Sequence, residues 1–206
     1  MKLAVFLVVS VVVARILPLF GGGGALEQVA NWSPLVALVL CGSVYFKGRL
    51  VFLPLAGFLL SEVILNVGWH FRLHEDANGL GASIFAGHSG LALGVYGFIC
   101  LTGSRFRDSR RNLRVPALLG GSVLGAVVFY LVTNTGSFLF SVGYEKSLAG
   151  WIQCLTVGLP GFPPTWTFLV KSLVANLVFM GVFVALFDWK LKPNEVREER
   201  VPATTG

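Results

Sequence analysis

Glu62 and Asn66 lie inside a run, Leu50 to Trp69, that otherwise reads as hydrocarbon-soluble, and His70 follows at the same interval of four. That spacing places a carboxylate, an amide and an imidazole on one face of a helix, where they can pair with a cation or hold a polar ligand. An unpaired charge at the centre of a bilayer costs about 2.5 to 3.5 kcal/mol on insertion scales, so Glu62 needs a partner. Arg15 and Lys171 are the cations in comparable apolar runs, and His88, Thr133, Asn134 and Thr135 add polarity to two others. One reading is an ion pair, Glu62 with Lys171 or Arg15, that locks helices together. The other is a polar pocket built by the whole set, which is larger than one pair requires.

The elements that must position these groups follow from composition. The 206 residues are 55% hydrophobic and 13% charged, with a mean hydropathy of +0.77. A soluble core cannot hide so much apolar surface, which predicts an all-α polytopic membrane protein. Five runs approach the roughly 20 residues that a helix needs to cross a bilayer: Leu3 to Phe20, Leu50 to Phe71, Ala82 to Thr102, Pro116 to Phe140 and Pro164 to Trp189. A sixth, Ser33 to Phe46, is short and reads as a tilted or shielded span, with Asn31 or Ser33 as a cap and Pro34 in the first turn. The opening "MKLAVFLVVSVVVA" also has the layout of a signal peptide cut after Ala14, but is read as a span.

Basic residues fix the orientation. Lys2, Lys47, Arg49, the arginines of "SRFRDSRRNLR" and the tail "KLKPNEVREER" alternate with segments that hold only Arg72 and Lys146 beside Glu27, Glu75, Asp76 and Glu145. Six spans with both termini in the cytoplasm satisfy this split. Residues 1–189 then form one membrane domain and residues 190–206 a charged, loosely held cytoplasmic tail. Under this topology Arg15, Glu62, Asn66, His70, His88, Asn134 and Lys171 all fall in the outer half of the bilayer.

Before the last span, "SLAGWIQCLTVGLPGFPPTW" carries three prolines through which no continuous helix can run. Leu148 to Val157 reads as a short outer-surface helix followed by an irregular turn. Irregular backbone at membrane depth must be buried in protein or face a watery cavity. Together with the loop "GGGGALEQVANW" it is expected to roof the pocket, with Trp151 and Trp166 as walls or as ordinary interface anchors. Small residues recur every four positions at Ala86, Gly90 and Gly94, and at Ala117, Gly121 and Gly125, with Ser10 and Ala14 as a shorter stripe. Such stripes pack helices together and, less commonly, dock a partner subunit.

Other classes are disfavoured. HExxH, GxSxG and phosphate-loop motifs are absent, and Ser89 beside His88 diverges from it on a helix, so no enzyme is expected. Cys41, Cys100 and Cys154 stand apart without CxxC spacing, which argues against a disulfide framework or a structural metal. The net charge of +6 sits beside the apolar runs, where topology explains it better than nucleic acid does. No cofactor is expected.

"RILP", "NWSPLVAL", "LPLAGFLLSEVIL", "FYLVTNTGSF" and "SLAGWIQCLTVGLPGFPPTWTFLV", between about Arg15 and Leu186, resemble a family of short bacterial membrane proteins similar to the substrate-binding S components of energy-coupling-factor transporters. The resemblance implies six helices in a bacterial cytoplasmic membrane and a vitamin or metal-ion ligand taken from outside under a roof of outer loops. It also implies a transmembrane coupling subunit with ATPases, docked through small residues of the first helix such as Ser10 and Ala14, although some S components stand alone. The chain departs from the pattern where Glu62 replaces an expected aspartate and where Lys171 and Ser172 replace Gly-Asp. A lost carboxylate and a gained cation point to a different or more anionic ligand, or to none. Cobalamin, one candidate, would favour an outer-side Cys or His, for which Cys154, His70, His74 and His88 are available.

The resulting expectation is a membrane-embedded substrate-binding or transport subunit for a small polar or vitamin-like molecule. Arg15, Glu62, Asn66, His88, Asn134 and Lys171 contact the ligand, and Trp151 and Trp166 wall it. The rival is a non-catalytic accessory subunit of a larger membrane complex, in which the polar cluster only stabilises helix contacts.

Overall fold

Each apolar run forms a helix, and the shortest of them lies at the centre. The computed structural model describes residues 2–20, 33–73 and 88–198. Helix α1 (Lys2–Ile16) ends in a 3-10 turn, Leu17–Phe20. Helix α2 (Leu35–Tyr45) follows, and a second 3-10 turn, Gly48–Phe52, leads into α3 (Leu53–Leu73). Then come α4 (His88–Ser104), α5 (Arg111–Phe140), the short α6 (Leu148–Leu155) and α7 (Trp166–Glu198). All described elements are helical.

Among the described residues, three stretches are long and apolar enough to cross a membrane: Gly48–Leu65, Asn112–Phe140 and Trp166–Phe187. Ala4–Ile16, Leu35–Tyr45 and Ser89–Ser104 are shorter apolar helices. The outside of the bundle is itself apolar, with Phe6, Phe98, Leu101, Leu124 and Val178 between 56% and 71% exposed. Side chains of that kind on several helices belong against lipid, so this is a membrane protein.

Helix α2 is apolar all round, which suits it to the interior of a bundle or to lipid, and it takes the interior. Residues Leu35 to Val44 are all buried, packed among α1, α3, α4, α5 and α7. Its 11 residues rise only about 16 Å, roughly half of a bilayer core. Both ends of its backbone ladder therefore stop inside protein, and other helices supply the missing partners. At the N-terminus the Ala37 N–H donates to Asn176 Oδ1 of α7 at 2.7 Å. At the C-terminus Arg107, just after α4, donates to the Ser43 carbonyl at 2.8 Å through Nη2, where a cation also complements the helix dipole. The cap expected from Ser33 does not form. Pro34 occupies the capping position without a side-chain bond, and the Ser33 hydroxyl is buried with no partner among the described residues.

The two small-residue stripes have different fates. On α5, a β-carbon at Gly125 would stand 2.7 Å from Val36 Cγ1, and one at Gly121 would stand 3.0 Å from Leu40 Cδ2, so that stripe is where α2 seats. On α4, Gly90 and Gly94 are exposed and open space faces Gly94, so internal packing does not explain them; Ala86 lies outside the described residues. Gly125→Leu is expected to destabilise the fold by about 1–3 kcal/mol through overpacking, read as a lower thermal midpoint in detergent. Gly94→Leu should leave that midpoint unchanged.

Two further boundaries differ from expectation. Helix α5 begins at Arg111 and absorbs Pro116 into its second turn, drawing Arg114 out of the expected loop; the Arg114 guanidinium lies 5.4 Å from the centre of the Tyr45 ring. The tail expected to be loose beyond Trp189 instead continues α7 to Glu198.

Candidate functional site

The last turn of α1 places Arg15 against α3. Its guanidinium sits 5.0 Å from the centre of the Phe58 ring, donates through Nη1 to Ser61 Oγ at 2.8 Å, and pairs through Nη2 with Glu62 Oε1. From α4, Ser89 Oγ donates to the other carboxylate oxygen at 2.6 Å. Three helices thus converge on one carboxylate. Side-chain exposure is 19% for Arg15 and 11% for Glu62, so the pair is largely withdrawn from solvent while its charges are met by charge-assisted hydrogen bonds. Of the two cations considered for Glu62, Arg15 is the one that pairs with it.

Beside the pair lies a cavity of about 330 Å³, within the range of about 300–1,000 Å³ typical of small-molecule sites. Arg15 contributes the charge on its wall. The start of α2 brings Ser33, Leu35 and Val36; α4 brings Tyr96; α7 brings Phe168 and Ser172. Helix α5 supplies the longest wall, Ala126, Phe129, Tyr130, Thr133 and Asn134, the last four within two turns. Tyr96 is fixed by stacking on Phe129 at 5.0 Å and by an edge contact with Phe58 at 4.8 Å, which ties the aromatic wall to the ring beneath Arg15. The cavity sits at the end of the bundle where α1 and α5 finish and α2, α4 and α7 begin.

Helix α6 braces this wall from behind. Tyr130 donates its hydroxyl to the Leu155 carbonyl, and Cys154 Sγ donates to the Asn134 carbonyl at 3.2 Å. Trp151 Nε1 donates to Thr135 Oγ1 at 3.0 Å. The helix is held in place by Ser147, whose Oγ accepts from the Gly150 N–H at 3.1 Å. At Gly150 a β-carbon would meet the Glu145 carbonyl oxygen at 2.0 Å, so the turn into α6 admits only glycine there. No residue of α6 or of the turn after it lines the cavity, so the expected roof is, among the described residues, a lateral support for α5. The glycine-rich loop expected to complete the roof lies outside the described residues.

The polar residues singled out in the sequence thus separate. Arg15 and Asn134 line the cavity, and Glu62 stands behind Arg15. Lys171 is half-buried one residue before the lining Ser172, Trp151 faces Thr135, and Trp166 is exposed. Ser10 is exposed and bonds back to the Phe6 carbonyl at 2.8 Å, with Ala14 half-buried one turn on. Asn66 lies on α3 a turn beyond Glu62, and His88 opens α4; their side chains, like those of His70 and His74, lie outside the described residues. Among the described residues no three His, Cys, Asp or Glu side chains gather as a metal site would need.

Sequence reasoning missed Tyr96, Phe129, Tyr130 and Phe168, since an aromatic ring in an apolar run carries no mark of which way it faces. It also missed Ser61 and Ser89, whose hydroxyls complete the shell of the ion pair.

The model of a family of unknown function (DUF6580) matches residues 1–198, which include the whole cavity wall. The chain belongs to that family. No curated protein and no solved structure matches it. The DUF6580 match runs through both Arg15 and Glu62 and reaches the last residue of α7, so cavity and ion pair lie within a single family unit.

Proposed function

We propose that this protein is a membrane-embedded subunit that binds a small polar molecule for transport and does no covalent chemistry on it. The observation that carries the reading is the cavity of about 330 Å³ with Arg15 in its wall and hydroxyl and amide groups of Ser33, Thr133, Asn134 and Ser172 around it. A bundle that used Arg15 and Glu62 only as a lock would gain from closing apolar side chains over them, because packing a void recovers contacts. In this reading all six apolar helices enter the membrane, with the cavity end outward and the opposite end in the cytoplasm. Its support is the distribution of charge: Lys47, Arg49, Arg105, Arg107 and Arg110 belong to the connections at the end away from the cavity, and Arg111 and Arg114 lie in the first turns of α5 at that end. The cell membrane of a bacterium and an ATP-driven coupling subunit fit the same reading. Cobalamin fits it poorly, since the cavity is at the small end of ligand-site volumes.

The rival accessory subunit draws support from Glu62, whose two oxygens both meet donors from neighbouring helices. A thermal-shift screen of purified protein against small metabolites separates the two. A saturable stabilising ligand that is lost in Ala126→Phe, which fills the cavity, supports the binding subunit. Co-purification with fixed protein partners and no saturable ligand supports the accessory role and overturns the proposal.

A further inference from the structure

The charges around the cavity are unevenly placed, and their placement selects a ligand. No carboxylate lines it among the described residues: Glu62 stands behind Arg15, with one oxygen engaged by the guanidinium and the other by Ser89. Among the described residues, the charge that faces the cavity is therefore positive. Arg15 lines it, and the first two residues of α2, Leu35 and Val36, line it too, so the N-terminal end of that helix dipole opens on the same space. Ser33, two residues before the start of α2, is also in the lining, and its buried hydroxyl has no partner among the described residues. A hydroxyl left unmet at a helix N-terminus, in a wall that also holds a guanidinium, is a donor open to an acceptor.

The amount of charge is also limited. Glu62 already offsets most of the positive charge on Arg15, which leaves the dipole end, about half an elementary charge, and the remaining guanidinium field to meet a ligand. A single negative charge comes closer to being met by this arrangement than a dianion such as phosphate does. Away from Arg15 the wall turns aromatic, with Phe129, Tyr130 and Phe168 offering flat apolar surface. Thr133 and Asn134 supply polar groups along one side.

Resting on the binding-subunit reading, we infer that the ligand is a small aromatic monocarboxylate. Its carboxylate lies between Arg15, Ser33 and the start of α2, and its ring lies against the aromatic wall of α5 and α7. Glu62 acts as a positioning residue, holding the guanidinium at the cavity edge and tempering its charge.

Isothermal titration of the purified full chain in detergent, with a panel of aromatic monocarboxylates from benzoate to indole-3-acetate, each paired with its neutral amide, tests this. At least one acid should bind with one-to-one stoichiometry and about tenfold or more tighter than its amide, as expected for a hydrogen bond to a charged group. Ser33→Ala should weaken that acid severalfold without changing affinity for the amide. Because Arg15→Gln alone removes the counter-charge of Glu62, the neutral pair R15Q/E62Q is the informative variant, and it should lose most of the preference for acid over amide, the remainder coming from Ser33 and the start of α2. Equal binding of acid and amide by the wild type, or an undiminished preference in R15Q/E62Q, overturns the inference. If no acid binds while a neutral or cationic metabolite binds and is lost in Ala126→Phe, the inference fails and the binding-subunit reading stands. If nothing binds, both fail.

Discussion

Arg15→Ala should lower stability by about 3 kcal/mol, the lower end of the range for breaking a buried ion pair. The cost arises because Glu62 would keep its charge among α1, α3 and α4 without the guanidinium that offsets it. The lower end applies because the Arg15 side chain retains 19% of its surface exposed, so water screens part of the loss. Arg15→Leu with Glu62→Leu removes both charges and should recover most of that stability, since apolar replacement of a buried pair is often neutral or better. Unfolding by denaturant in detergent micelles reads the difference. Equal destabilisation of the single and double variants would mean that packing of the guanidinium on Phe58 matters, and not the charge.

Asn176→Leu should cost about 2 kcal/mol, within the range for leaving a buried donor unmet. Asn176 is fully buried on α7, and its side-chain oxygen accepts from the Ala37 N–H at 2.7 Å while its amide group donates to the Ser172 carbonyl at 2.7 Å. Helix α2 has no side-chain cap of its own. With Asn176 lost, its first turn has no donor site met from α7, and the cavity wall built on Ser33, Leu35 and Val36 loosens with it. Hydrogen exchange at the Ala37 amide should accelerate in the variant, while exchange near Ser43, held from the other end by Arg107, should change little. Unchanged protection at Ala37 would show that α2 is fixed by burial alone.

Much of this architecture is legible in the sequence, and the reason lies in cost. An ionisable group in an apolar run is expensive enough to require an explanation, so Arg15 and Glu62 announce themselves, and the structure brings them together. The six apolar runs reappear as helices for a similar reason, because a backbone in apolar surroundings, lipid or protein, must satisfy its own hydrogen bonds. Direction is harder to read. The stripes at Gly90 and Gly94 and at Gly121 and Gly125 have the same spacing, yet one is exposed and the other receives α2, because periodicity specifies a face without saying what it meets. Trp151 and Trp166 were expected around the pocket from their place beside an irregular segment, but α6 lies along α5, and its tryptophan reaches Thr135. Asn176 was invisible: a single asparagine on α7, separated from Ala37 by 139 positions, gives no local sign that it caps a helix. The same limit applies to the Arg107 contact with Ser43, 64 positions away, since the arginine loop is fully explained by topology until a helix end is seen to need a cation.

The idea that a hydrated, outward-facing chamber adjoins the ion pair is tested most directly by chemical access. Ser172 lines the cavity, Ser122 is fully buried elsewhere on α5, and the three native cysteines are buried thiols. In intact cells, a membrane-impermeant methanethiosulfonate should label Ser172→Cys and spare both Ser122→Cys and the wild type. A Ser172→Cys protein that folds and stays unlabelled until the membrane is opened would contradict the chamber and the function built on it.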